Sequence, residues 1–90
     1  MEFILFYVQN CARSKSALNE IEKVADTHED YGIFSYVDGR KGAVLVDKYK
    51  IRIFPTLVSI QQVKNKTTVE YYNGDITFLP VSKFIKRFAA

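Results

Sequence analysis

The chain has no tryptophan, one cysteine, one histidine, two prolines and four glycines among its 90 residues. A single thiol rules out an internal disulfide framework. One cysteine and one histidine fall short of the three or four protein ligands of a zinc site. That histidine, His28, lies in the polar run Asp26-Thr27-His28-Glu29-Asp30, which reads as a helix end, and it is expected at the surface. So little glycine and proline argues against disorder or low complexity. No apolar run approaches the ~20 residues that a membrane helix requires. Phe3 to Val8 is too short, and lacks the basic flank, to be a secretory leader. Neither charge sign dominates: 13 basic and 10 acidic side chains are interspersed for a net +3, which reads as a wet surface and not a nucleic-acid footprint. Lys64, Lys66, Lys83, Lys86 and Arg87 read as a solvated face, and most aromatics fall at core-like positions, not in a stacking pattern. The expectation is a cytoplasmic chain with neither membrane nor nucleic-acid partners.

What the chain does have is apolar material in short periodic runs, enough for one small domain over residues 1–90 with an efficient core. Phe3-Ile4-Leu5-Phe6-Tyr7-Val8 is continuous and rich in aromatic and branched residues, as in a strand buried on both faces. Ser14, Ala17, Leu18, Ile21, Val24 and Ala25 recur at helical spacing. Gly32 to Val37 reads as a second strand, Asp38-Gly39 as a turn, and Lys41 to Lys50 as a short helix. Phe54 precedes Pro55 and is therefore expected to be extended. Thr56 to Ile60 reads as a third strand, Val63 to Thr67 as a polar turn and Thr68 to Tyr72 as a fourth strand. Thr77 is placed to cap a last helix, with Pro80 in its first turn, and Val81, Phe84, Ile85 and Phe88 form its apolar stripe. The order is β-α-β-α-β-β-α. A parallel, right-handed first βαβ unit and an antiparallel last pair give a four-stranded mixed α/β sheet with helices on both faces.

Cys11 sits where the first strand hands over to the first helix. Extending the helical stripe backwards puts Ser14 and Cys11 on one side, three residues apart, with Ser14 the more buried. Backbone N–H groups at a helix start present positive potential. Arg13 and Lys15 add charge, and the Ser14 hydroxyl can hydrogen-bond to sulfur. All of these favour the thiolate, which is the nucleophile in disulfide exchange. The bland alternative is a buried, inert cysteine.

This order, with a thiol at the first strand-to-helix junction, resembles the thioredoxin fold. The most specific match is Tyr49-Lys50-Ile51-Arg52-Ile53-Phe54-Pro55-Thr56-Leu57, similar to the thioredoxin segment in which Tyr-x-Ile-Arg-x-aliphatic precedes Pro-Thr-Leu. The resemblance covers roughly residues 2 to 88. It implies a cis Pro55 facing Cys11, with Phe54, Pro55, Thr56, Gly74 and Asp75 shaping a groove for an extended peptide or for glutathione. It also implies Cys11 and Ser14 as the catalytic pair, and no resident cofactor. The departures are equally specific. Thioredoxins carry Trp-Cys-Gly-Pro-Cys where this chain has Asn10-Cys11-Ala12-Arg13-Ser14, and the acid they bury beneath the site falls at Leu5. Monothiol glutaredoxins have Cys-x-x-Ser with Gly-Phe between, which Ala12-Arg13 does not match.

With serine at position 14 no second thiol in the chain can release a captured partner. The resemblance then leaves several outcomes: monothiol exchange resolved by glutathione or another external thiol, a persistent mixed disulfide with a protein partner, or a dimer linked through Cys11. Ser14 itself is either native or a replacement that traps a Cys-x-x-Cys protein in its intermediate. A reading from another class is a non-redox adaptor that reuses the scaffold as a binding surface. An iron–sulfur carrier built from two such domains and glutathione fits the loop poorly.

Overall fold

The structure, a computed structural model, describes residues 1–88; Ala89 and Ala90 lie outside the described residues. Strands β1 (Glu2–Tyr7), β2 (Ile33–Asp38), β3 (Thr56–Val63) and β4 (Lys66–Tyr71) alternate with helices α1 (Ala12–Thr27), α2 (Ala43–Lys48) and α3 (Phe78–Lys86) in the expected order. The sheet order is β2-β1-β3-β4. β1 runs parallel to β2 and antiparallel to β3, and β3 is antiparallel to β4. No helix among the described residues is long and apolar enough to cross a membrane.

β1 is buried along Phe3, Ile4, Leu5 and Phe6 because it is central and covered on both sides. Strand alternation splits those four residues between two cores. Phe3 and Leu5 join Leu57 beneath α1 and α3, against Ala17, Ile21, Val24, Val81, Phe84 and Ile85. Ile4 and Phe6 join Val58, Ile60 and Ile51 on the other face, covered by Leu45 and Val46 of α2 and by Tyr49. Leu5, where the resemblance to thioredoxins would place a buried acid, is fully enclosed in the first core. Truncating such a residue to alanine costs about 2–5 kcal/mol.

Three local expectations need correction. The polar segment 63–67 is not a loose turn. β3 continues to Val63 and pairs with Lys66, and the reversal is the two residues Lys64 and Asn65, with φ of 50° and 67°. Two successive left-handed residues give the turn whose twist matches paired strands. The polarity there arises because Gln62, Val63, Lys66, Thr67 and Thr68 extend past the helices and stay exposed. His28 is buried, not at the surface. Its ring packs by Tyr31 and Phe78, and Nδ1 lies 3.0 Å from the Val24 carbonyl, which satisfies an acceptor of the last turn of α1. Thr77 precedes α3 but its hydroxyl caps nothing.

The cap comes from another helix. Glu20 of α1 accepts the Phe78 N–H at 2.9 Å through Oε1 and binds Lys23 at 3.0 Å through Oε2. Both partners hold the Glu20 carboxyl below its ordinary range, Lys23 more strongly. A carboxylate with a depressed folded pKa stabilises the fold above its unfolded value, and that contribution disappears as pH falls through the folded value. Glu20→Gln is therefore expected to lower the melting temperature at pH 7. The gap to the wild type should close progressively below about pH 4.5, as followed by circular dichroism across that range.

Candidate functional site

The site forms where strand becomes helix. Gln9 and Asn10 turn the chain after β1, and Asn10 adopts φ 60°, a left-handed value that asparagine tolerates better than most residues. Cys11 then takes the N-cap position of α1 with extended backbone, φ −122° and ψ 119°, and its carbonyl accepts the first helical bond from the Lys15 N–H at 2.9 Å. N-caps are usually Ser, Thr, Asp or Asn, whose oxygens take the free N–H groups of the first turn. Here the residue at that position is a thiol, no acidic side chain occupies the first turn, and the cap geometry contains no formed side-chain bond. The first-turn N–H groups therefore remain available to a negative sulfur.

Ser14 is fully buried while Cys11 is half-exposed, in the order that helical spacing predicts. The Ser14 Oγ accepts the Val8 N–H at 3.2 Å, which fastens the end of β1 to the first turn of α1. That bond occupies one acceptor lone pair and leaves the hydroxyl its own proton to donate to sulfur. The Cys11 thiol is accordingly held below its ordinary value of 9.0, first by the Ser14 backbone N–H, then by the Ser14 hydroxyl, with smaller help from the backbone N–H and the charge of Arg13. Partial desolvation works in the opposite direction. Lys15 borders the same hollow as the thiol but does not figure among the groups that lower it, so the electrostatic support falls to Arg13.

Two hollows flank the start of α1. One, of about 430 Å³, holds Cys11 together with Tyr7, Asn10, Ala12, Lys15 and Leu18. The other, of about 370 Å³, joins Arg13 and Ser16 of α1 to Pro55, Thr56, Gly74 and Asp75. Four of the five expected groove residues thus meet beside Arg13 and Ser16, in a different hollow from the one that holds Cys11. The Phe54–Pro55 bond is cis. Phe54 departs from expectation: its ring turns away from the groove into the second core and occupies the space where a Cβ on Gly39 would stand. Ile53 lines the groove in its place. The pattern of residues 51–54 could not assign these two, because both are apolar and only the direction of the bend separates them.

Tyr72, Asn73 and Thr77 also border the groove; the sequence pattern marked Thr77 only as a helix cap and Tyr72 only as a strand end. The Tyr72 hydroxyl donates to the Asp75 carbonyl at 2.7 Å, closing the 72–75 turn. A Cβ on Gly74 would lie 2.9 Å from that hydroxyl and would push it off the Asp75 carbonyl. Among the described residues no group of three or more His, Cys, Asp or Glu is placed to hold a metal ion.

The thioredoxin family model matches residues 2–87. No curated protein sequence matches the chain significantly. Among solved structures, the J-Trx1 fragment of ERdj5 superposes with a TM-score of 0.84 at 16% identity, over 96% of this chain and 40% of that one. The thioredoxin of Trichomonas vaginalis gives 0.83 at 18% identity, over 98% of this chain and 78% of that one. Chloroplastic thioredoxin z gives 0.81 at 17% identity, over 97% and 76%. At such identities the likeness is one of fold, and the chain spans less than half of the ERdj5 fragment.

Ser14→Ala removes both the hydrogen bond toward sulfur and the acceptor for Val8. The midpoint of the pH dependence of Cys11 alkylation by iodoacetamide is expected to move up toward 9.0. Denaturant unfolding should show a loss of about 1–3 kcal/mol for the unpaired N–H.

Proposed function

This chain belongs to the thioredoxin family, and from that premise we propose that it exchanges disulfides through one nucleophilic sulfur, Cys11, forming mixed disulfides with protein or glutathione partners. The observation that carries the reading is a half-exposed thiol at a helix N-cap whose anion is favoured by the Ser14 amide and hydroxyl. Family members generally act on protein disulfides, and proteins of this fold need no cofactor as a rule.

The chemistry is a single displacement. The Cys11 thiolate attacks one sulfur of a disulfide, a new S–S bond forms, and the other sulfur departs as thiolate. Cys11 is the only cysteine and the Ser14 oxygen cannot attack a disulfide, so the intermediate waits for an external thiol. Glutathione in a reducing compartment such as the cytoplasm would serve. Native or introduced, Ser14 has the same consequence.

The adaptor reading draws on Leu5. Where the family places an acid that moves protons beneath the site, this chain has a hydrocarbon sealed in the core, which suits capture better than turnover.

Intact-protein mass spectrometry with a disulfide peptide should show a stable adduct on Cys11 that only added thiol removes. Ser14→Cys should release the peptide without added thiol and leave an internal disulfide. A Cys11 that reacts no faster than free cysteine at pH 7, together with a Cys11→Ala protein that keeps its partners, would replace the exchange reading with the adaptor one.

A further inference from the structure

The parallel strands β1 and β2 finish at the same end of the sheet, where β3 begins and β4 finishes. The Gly39 N–H donates to the Tyr7 carbonyl at 2.7 Å and the Tyr72 N–H to the Leu57 carbonyl at 2.9 Å, so the four connections at that end lie side by side. Arg13, Lys15, Arg40, Lys41, Lys50 and Arg52 all belong to these connections or to the adjoining first turn of α1, and all are exposed. Asp38, Asp47 and Asp75 are the acids there. The Asp38 carboxylate is already engaged by the Arg40 backbone N–H at 3.0 Å. The remaining seven bases and seven acids of the chain cancel. The net charge of +3 is therefore concentrated at the end that carries the thiol. None of the six bases forms an ion pair among the described residues; the pairs present are Lys23–Glu20 and Arg87–Glu70.

The surface between these cations is indented and partly apolar. Lys50, Arg52 and Ile53 share a depression with Tyr71 and Asn73, which adjoins the Pro55 groove through Ile53, Thr56 and Asn73. Lys50 and Arg52 also border a depression with Gly39. Ile53 is 72% exposed. On the reading that Cys11 exchanges disulfides, we propose that its partner is an extended peptide segment with aspartate or glutamate beside its cystine.

Fields of several fixed like charges add over a Debye length of about 8 Å at physiological salt. They raise the encounter rate of an oppositely charged partner by about 10–10³ and repel a basic one. The same field favours the partner sulfur that leaves as thiolate. In the step, the Cys11–partner S–S bond forms as the partner's own S–S bond breaks; Cys11 is oxidised, the departing sulfur is reduced, and that sulfur takes its proton from water. A peptide suits the site better than a nucleic acid, because exchange at Cys11 needs a partner disulfide, which a nucleic acid lacks.

The test uses three peptides of equal length, each carrying one cysteine as a mixed disulfide with neutral 2-thiopyridine and flanked by Glu, Gln or Lys. At low ionic strength the Glu peptide should react with Cys11 at least ~10-fold faster than the Lys peptide. That ratio should fall toward one at 0.5 M salt, and also in a protein carrying Arg40→Glu, Lys41→Glu and Arg52→Glu. A ratio near one at low salt, or preference for lysine, overturns the proposal. If even the Gln peptide reacts no faster with the protein than with free cysteine, the exchange reading fails by itself. Anisotropy titration of dye-labelled Cys→Ser versions of these peptides onto Cys11→Ser protein then reads the surface alone. Tighter binding of the Glu peptide than of the Lys peptide supports the acidic partner. Equal binding, or tighter binding of a single-stranded oligonucleotide of the same charge as the Glu peptide, overturns it.

Discussion

The hydrogen bond from the Val8 N–H to the Ser14 hydroxyl is the constraint on which the site rests. It ties the first residue after β1 to the third residue of α1 and fixes the turn that holds Cys11 at the helix start. The bond is enclosed, because Ser14 has no exposure to water, so leaving the amide without a partner would carry a desolvation penalty. The same hydroxyl, satisfied as acceptor on one side, helps on the other to hold the Cys11 thiol below its ordinary value. Structure and reactivity share one atom, and a serine is suited to that double task in a way that alanine is not.

A rigid base lies behind that junction. β1 seals apolar residues into both cores along its length, Phe3 and Leu5 into one and Ile4 and Phe6 into the other, and its neighbour β3 does the same with Leu57 and with Val58 and Ile60. The end of such a strand has little freedom to shift, and α1 is pinned along Ala17, Ile21 and Val24. Glu20, further along the same helix, caps α3 through the Phe78 N–H, and α3 follows directly on the 72–77 connection that walls the groove. One helix therefore positions the thiol at its first turn and the far wall of the groove through its third.

The electrostatics act at two ranges. Within a few ångströms, the Ser14 and Arg13 amides and the Ser14 hydroxyl decide the state of the sulfur. Over the whole end of the sheet, cations from four connections set the potential that an approaching chain meets. The first does not depend on which partner arrives; the second discriminates among partners. Lys15 belongs only to the second, although it lies just four residues from Cys11.

Periodicity made most of the architecture readable: the continuous run at 3–8, the stripe through Ala17, Ile21 and Val24, and that of α3. These reflect burial, which acts on every residue of an element and repeats. The thiol at the strand-to-helix junction and the Pro55 bend were legible because single residues with special chemistry mark them. His28, Phe54, Thr77 and the Lys64–Asn65 reversal were not, since each depends on a neighbour distant in sequence or on a local backbone angle. His28 is buried because Phe78 comes to lie beside it, and the free N–H at the start of α3 is taken by Glu20 of another helix, not by Thr77. The sequence by itself determined the elements, their order and the sulfur's place at a helix start, all set by local pattern. Only the tertiary structure decided which side chains line the groove and that the unpaired cations gather at the thiol's end of the sheet, because those facts arise from connections brought together there.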